Sequence, residues 1–253
     1  MLWRSSVVSG FGIEASDGAI GSISDLLFDD TNWALRWCVV DTGSWLSGRK
    51  VLLPPSAMGE PDSSRRSFMV KLTRQQVEDS PVIDADAPVS RQLEASVYGY
   101  YGWSPYWYPG YGMGMMGALP VAQSLPPSQS QAHGYRADGT DPTSGDPHLR
   151  SANEIIGYNI RASDDDIGHV EELLVDIESW EIRYFVVDTK NWWPGKKVLV
   201  APQWFTEVSW AEKSVHVSLT RDQVKKSPEY DASATADRAY EDRLYQHYGY
   251  QRY

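Results

Sequence analysis

A single cysteine, Cys38, rules out an intrachain disulfide in this chain of 253 residues, and cysteine usage this sparse leans towards a reducing compartment. No apolar run approaches the roughly 18 residues that would span a bilayer, and the opening MLWRSSVVSG lacks the apolar core of a secretory signal. The expectation is a soluble, cytoplasmic protein without a transmembrane anchor. A basic face is also missing. The net charge of −11 is spread along the chain, which disfavours nucleic acid as a partner and favours a solvated, self-repelling surface. The five histidines (133, 148, 169, 216 and 247) do not fall at metal-ligand spacings, and no phosphate-cradling glycine loop is present. Catalytic residues, metals and cofactors are therefore expected to be none, and the chain is not expected to be an enzyme.

What the chain does have is a repeated sentence. WALRWCVVDTGSWLSGRKVL begins at Trp33, and WEIRYFVVDTKNWWPGKKVL begins 147 positions later at Trp180. The same offset aligns Gly21 with Gly168, Asp29 with Asp176, Thr73 with Thr220 and Tyr98 with Tyr245. This predicts a tandem duplication, with domains at 2–103 and 149–250 and a linker at 104–148. Each repeat carries five or six short β-rich runs, the spacing of a small barrel or sandwich. A threonine-capped helical turn follows at 73–79 and 220–226. Tails at 88–98 and 236–248 read as amphipathic helices lying on a barrel or on a partner.

The linker is rich in Pro, Gly, Ser and Gln and is expected to be flexible. Its first part holds Tyr106, Trp107, Tyr108 and Tyr111, which is either a strap packed on a domain or a docking segment. In Asp164-Asp165-Asp166 the spacing fits a hairpin turn better than a calcium loop.

The segment from Asp164 to Thr189 resembles the PRC-barrel family. Gly168, Leu173, Leu174, Asp176 and the strand Arg183 to Asp188 carry the likeness. Gly21, Leu26, Leu27, Asp29 and Arg36 to Asp41 repeat it, and Ser218 to Asp231 looks like the end of such a domain. That family includes the cytoplasmic domain of the photosynthetic reaction centre H subunit and the C-terminal domain of the ribosome maturation factor. The resemblance implies a mostly β fold: two small antiparallel barrels in tandem, each followed by a short helical tail and joined by a low-complexity linker. It also implies a class of function, that of barrels which scaffold or dock onto other macromolecules.

The candidate docking surface is the shared loop. It comprises Asp41, Trp45, Arg49 and Lys50 in the first repeat and Asp188, Trp192, Lys196 and Lys197 in the second. A Trp beside cations offers a buried ring with an edge for hydrogen bonding or cation–π contact, although the same residues also suit a hairpin plugging a barrel end. The run Tyr184-Phe185-Val186-Val187 is apolar on both faces of a strand. Its outer face needs a cover: a tail helix, the sister barrel or a second chain, so a homodimer or an intrachain pairing is expected. The functional expectation is a non-catalytic module that docks a protein partner. The alternative is a regulator binding a small ligand or metal at the barrel ends.

Overall fold

A computed structural model describes residues 2–81, 89–105, 145–189, 196–231 and 237–250. The first repeat runs β1 (Leu2–Arg4), α1 (Ser5–Val8), β2 (Gly12–Ala15), β3 (Gly18–Asp29), β4 (Leu35–Asp41), β5 (Lys50–Leu53), β6 (Met58–Asp62), β7 (Ser67–Val70) and α2 (Arg74–Glu78). A separate unit, residues 86–146, contains α3 (Arg91–Tyr101), capped by Ser90 and ended by Gly102 at φ 68°. The second repeat runs β8 (Leu149–Ser151), α4 (Ala152–Ile155), β9 (Asn159–Arg161), β10 (Asp166–Asp176), β11 (Glu181–Asp188), β12 (Lys197–Val200), β13 (Phe205–Ser209), β14 (Ser214–Val217), α5 (Arg221–Lys226) and α6 (Arg238–Tyr248). Residues 1–85 and 147–253 make one unit.

The fold is mostly β, in two sheets of seven strands each. Pairing follows β5-β4-β3-β2-β7-β6 in one sheet and β12-β11-β10-β9-β14-β13 in the other. Two expectations are corrected. Neither sheet closes into a barrel, and the β2–β7 and β9–β14 pairs are parallel rather than antiparallel. The chain leaves β5 through Pro54 and Pro55, and leaves β12 through Pro202, each opening a short 3₁₀ turn. Proline has no N–H to carry a ladder onward, so the end strands are not hydrogen-bonded to each other.

The seventh strand of each sheet comes from the other repeat. Leu2, Trp3 and Arg4 pair with Asp176, Val175 and Leu174; 147 positions on, Leu149, Arg150 and Ser151 pair with Asp29, Phe28 and Leu27. Polar caps repeat the exchange. Ser5 donates to Glu172 at 2.6 Å, while Ser151 donates to Asp25 at 2.6 Å. At the centre, Leu35 N–H donates to the Trp180 carbonyl (2.8 Å) and Ile182 N–H to the Trp33 carbonyl (2.9 Å). Trp33 (φ 63°) and Trp180 (φ 54°) sit in left-handed backbone, a conformation costing roughly 1–2 kcal/mol for a residue with a Cβ. Ring packing offsets it: Trp33 contacts Phe28, Phe185 and Phe205 at 5.3–5.4 Å, and Trp180 contacts Phe68 at 5.7 Å.

The shared glycines have a local cause. A Cβ on Gly21 would collide with the Asp41 carbonyl oxygen, and one on Gly168 with the Asp188 carbonyl oxygen, because β3 and β10 run in close contact with the ends of β4 and β11 there. The predicted threonine caps are full capping boxes, with Gln76 and Gln223 as the reciprocal residues. The Asp164 carboxylate accepts from Arg221 N–H at 2.9 Å, Asp165 pairs with Arg221, and Asp166 pairs with Arg161 at 3.1 Å. The acidic triplet is thus spent on the hairpin and on the start of α5.

Both faces of β11 are covered. Phe185 packs on Phe205 (4.8 Å) and on Trp33 of the first repeat. Tyr184 donates to Glu241 of α6 at 2.9 Å. That helix buries Tyr240, Leu244, Tyr245 and Tyr248 on one stripe, with Tyr245 and Tyr248 at 5.6 and 4.7 Å from Trp204.

Candidate functional site

The shared loop is organised by its first two residues. The Asp41 carboxylate accepts from Gly43 N–H (2.8 Å), while the Thr42 and Thr189 hydroxyls donate to the carbonyls of Arg49 and Lys196, each at 2.7 Å. Asp188 is buried. In the first repeat, neither Arg49 nor Lys50 stands over Trp45. Arg49 donates to the Glu78 carbonyl at 2.6 Å and to the Ser80 carbonyl, and Lys196 donates to the carbonyls of Lys225 (2.6 Å) and Ser227 (2.5 Å). Each therefore neutralises the carbonyl end of the short helix α2 or α5. The cation over Trp45 is Arg74, 4.4 Å from the ring centroid. Lys197 pairs with Glu171 at 2.5 Å, and Lys50 acts electrostatically on Asp25. Trp192 and the linker residues Tyr106, Trp107, Tyr108 and Tyr111 lie outside the described residues.

A second arrangement is built from residues that the two halves do not share. Where the β3–β4 turn of the first repeat meets the second repeat, two open clefts share Trp33 and Pro202. One, of about 190 Å³, is bordered by Asn32, Arg183, Gln203 and Tyr245. The other, of about 300 Å³, lies between Asp30, Thr31 and His148 on one wall and Phe205, Thr206, Glu207, Val208 and Trp210 on the other.

Asp30 fastens this seam. Its carboxylate accepts from Trp210 Nε1 (3.0 Å) and Arg150 Nε (3.3 Å) and meets His148 Nδ1 at 2.9 Å. The Arg150 guanidinium lies 4.3 Å from the Trp210 ring centroid, and Tyr158 packs against that ring at 5.7 Å. Burial, and then the neighbouring Glu154 carboxylate, push the Tyr158 hydroxyl up to about 12, so it is a donor at neutral pH. At the offset of 147, Asp30 corresponds to Ile177, His148 to Met1, Arg150 to Trp3 and Trp210 to Ser63. Matching the two repeats passes over all four; subtracting one repeat from the other would have found them.

The arrangement offers aromatic platforms with a polar rim. With three donors on its carboxylate, Asp30 is a clamp rather than a free base. Cys38 is fully buried, and burial pushes its thiol well above the usual range, so it serves as packing where the second repeat has Phe185. Among the described residues, no three His, Cys, Asp or Glu side chains converge as a metal ion would require, and no helix is long and apolar enough to cross a membrane.

Comparison with known proteins adds one family. Residues 147–224 match the PRC-barrel domain. An uncharacterized protein of Deinococcus radiodurans is 44% identical over 77 residues, which are 30% of this chain. The chain spans 26% of that relative's length.

Proposed function

We propose, from the PRC-barrel match over residues 147–224, that residues 2–103 are a second copy of the same domain and that the pair is a non-catalytic docking module for a protein partner. The observation that carries this reading is the one-sided seam: the two halves agree in what builds the sheets and part company where Asp30, His148 and Trp210 line an open cleft and Arg150 stacks on the Trp210 ring. A protein-recognition surface has this composition, with aromatic and Arg anchors inside a polar rim. Size argues against the small-ligand alternative. Clefts of about 190 and 300 Å³ reach only the lower end of the roughly 300–1,000 Å³ that enclose a small ligand. The acidic chain and its lone buried cysteine support a partner other than nucleic acid and a reducing, cytoplasmic setting.

The test is partner capture by the full chain, followed by calorimetry with the purified partner. Trp210→Ala removes an anchor of the cleft and is expected to weaken binding by about tenfold or more, roughly 1.4 kcal/mol. Trp45→Ala, in the shared loop, reports on the other candidate surface. A partner indifferent to Trp210 but lost with Trp45 would move the docking site to the loop, and a partner indifferent to both would sink the reading.

A further inference from the structure

One end strand of each sheet is β6 in the first repeat and β13 in the second, and these two equivalent edges differ. In β6, Pro61 pairs in register with Phe68; in β13 the equivalent residue is Val208, paired with Val215. Proline has no N–H, so the ladder to β7 does not use a donor at that register. By the same register, the Val208 N–H points away from β14, towards whatever lies beyond the sheet. One edge is thus blocked by the residue that commonly protects edge strands, and the other is left able to pair.

The unblocked edge borders the larger cleft. Phe205, Thr206, Glu207 and Val208 form one wall, and the turn carrying Asp30, Thr31 and Trp33 forms the other. Among the described residues, the Phe205 N–H turns back to the Pro202 carbonyl, and from Thr206 onward the β13 backbone is hydrogen-bonded to β14 alone. The wall also has a charge to satisfy. Asp30 is answered by Arg150 and Trp210, whereas the exposed Glu207 carboxylate has no partner among the described residues. The net charge of −11 adds a long-range pull of the same sign.

We propose that β13 is a β-augmentation edge: an extended segment of a partner protein, carrying a basic side chain for Glu207, pairs with it as a further strand. Its alternate side chains enter the cleft over Trp33, Phe205 and Trp210. Main-chain pairing supplies affinity, while the cleft and the carboxylate supply selection. This inference rests on the docking reading and adds the partner's conformation and charge.

The probe is a phage-displayed random dodecapeptide library panned on the full chain, with the leading clone made as a labelled synthetic peptide. Three results are expected. Selected sequences alternate apolar residues with Lys or Arg. Amide exchange at Thr206 and Val208 slows when the peptide binds. Val208→Pro weakens the peptide about tenfold while Glu207→Gln weakens it several-fold, the latter effect fading with salt. Pro61 marks proline as compatible with this register, and the exchange experiment on the unaltered protein stands even if Val208→Pro fails to fold. The proposal is overturned if no peptide is selected, if bound peptide leaves the β13 amides unprotected, or if a folded Val208→Pro binds equally well. It is equally overturned if the edge is already filled by a second copy, seen as a concentration-dependent dimer that Val208→Pro abolishes. A partner that needs Trp210 yet leaves β13 unprotected would refute the edge while leaving the docking module intact.

Discussion

Asp29 and Arg36 form a buried ion pair at the end of β3, each almost fully enclosed. Burial alone would raise the Asp29 carboxyl, but the Thr31 hydrogen bonds and the Arg36 charge outweigh it and hold the group below its usual 3.8. A depressed pKa contributes stability above the unfolded value, and the contribution is lost as pH falls through the folded value. Asp29→Asn takes one carboxylate charge away from the buried Arg36, a change expected to cost up to about 3–5 kcal/mol. Urea unfolding at about pH 7 is expected to show that loss, and the gap to the parent protein should narrow below 3.8 as its own Asp29 is protonated. A gap that is constant across this range would mean that the pair's charge is not what stabilises it. The second repeat solves the position differently: its Arg183 is half-buried, lies 3.7 Å from Glu181 and lines the smaller cleft. Shared identity in sequence has become structure in one half and surface in the other.

Helix α6 shows what a local pattern can and cannot reveal. Leu244, Tyr245 and Tyr248 of its buried stripe are legible from residue types alone, as are both threonine caps, whereas Tyr240 completes the stripe in place of the Ala239 that the spacing suggests, which is exposed. Asp237 caps its start by accepting from Tyr240 N–H at 2.8 Å. The cover it gives β11 was one of three open choices, because an apolar strand face says that something lies on it and not what. Leu244 is fully buried beneath the helix. Leu244→Ala is expected to cost about 2–5 kcal/mol and to free the helix locally. The measurement is tryptic cleavage at Arg238 and Arg243, which should accelerate well before the sheets unfold; cleavage only at global unfolding would show α6 to be part of the same cooperative unit. The strand exchange was not legible at all. Leu2–Arg4 and Leu149–Ser151 are three residues each, too short for any periodicity to name their partners. Closure was over-read for the opposite reason, since strand count and spacing fit an open sheet as well as a barrel.

The exchange makes the two repeats mutually dependent. Cutting them apart would strip β8 from Leu27–Asp29, strip β1 from Leu174–Asp176, and remove both central bonds between Leu35 and Trp180 and between Ile182 and Trp33. The polar caps on Asp25 and Glu172 would go with them. Two exposed edges and the ring surfaces of Trp33 and Trp180 would then face water, a poor outcome for either half alone. A protease site placed between residues 120 and 130 tests this without altering any residue of the described strands. After cleavage the halves are expected to elute together under native conditions, and their unfolding midpoint should become concentration-dependent, which that of the intact chain is not. A tether of this kind supplies an effective concentration of about 1 mM, so at micromolar protein the nick should cost roughly 4 kcal/mol. Halves that separate as folded monomers would mean that the exchanged strands decorate the seam rather than hold it. Halves that stay paired, and dissociate only as they unfold, would place the cleft on an interface as permanent as a core.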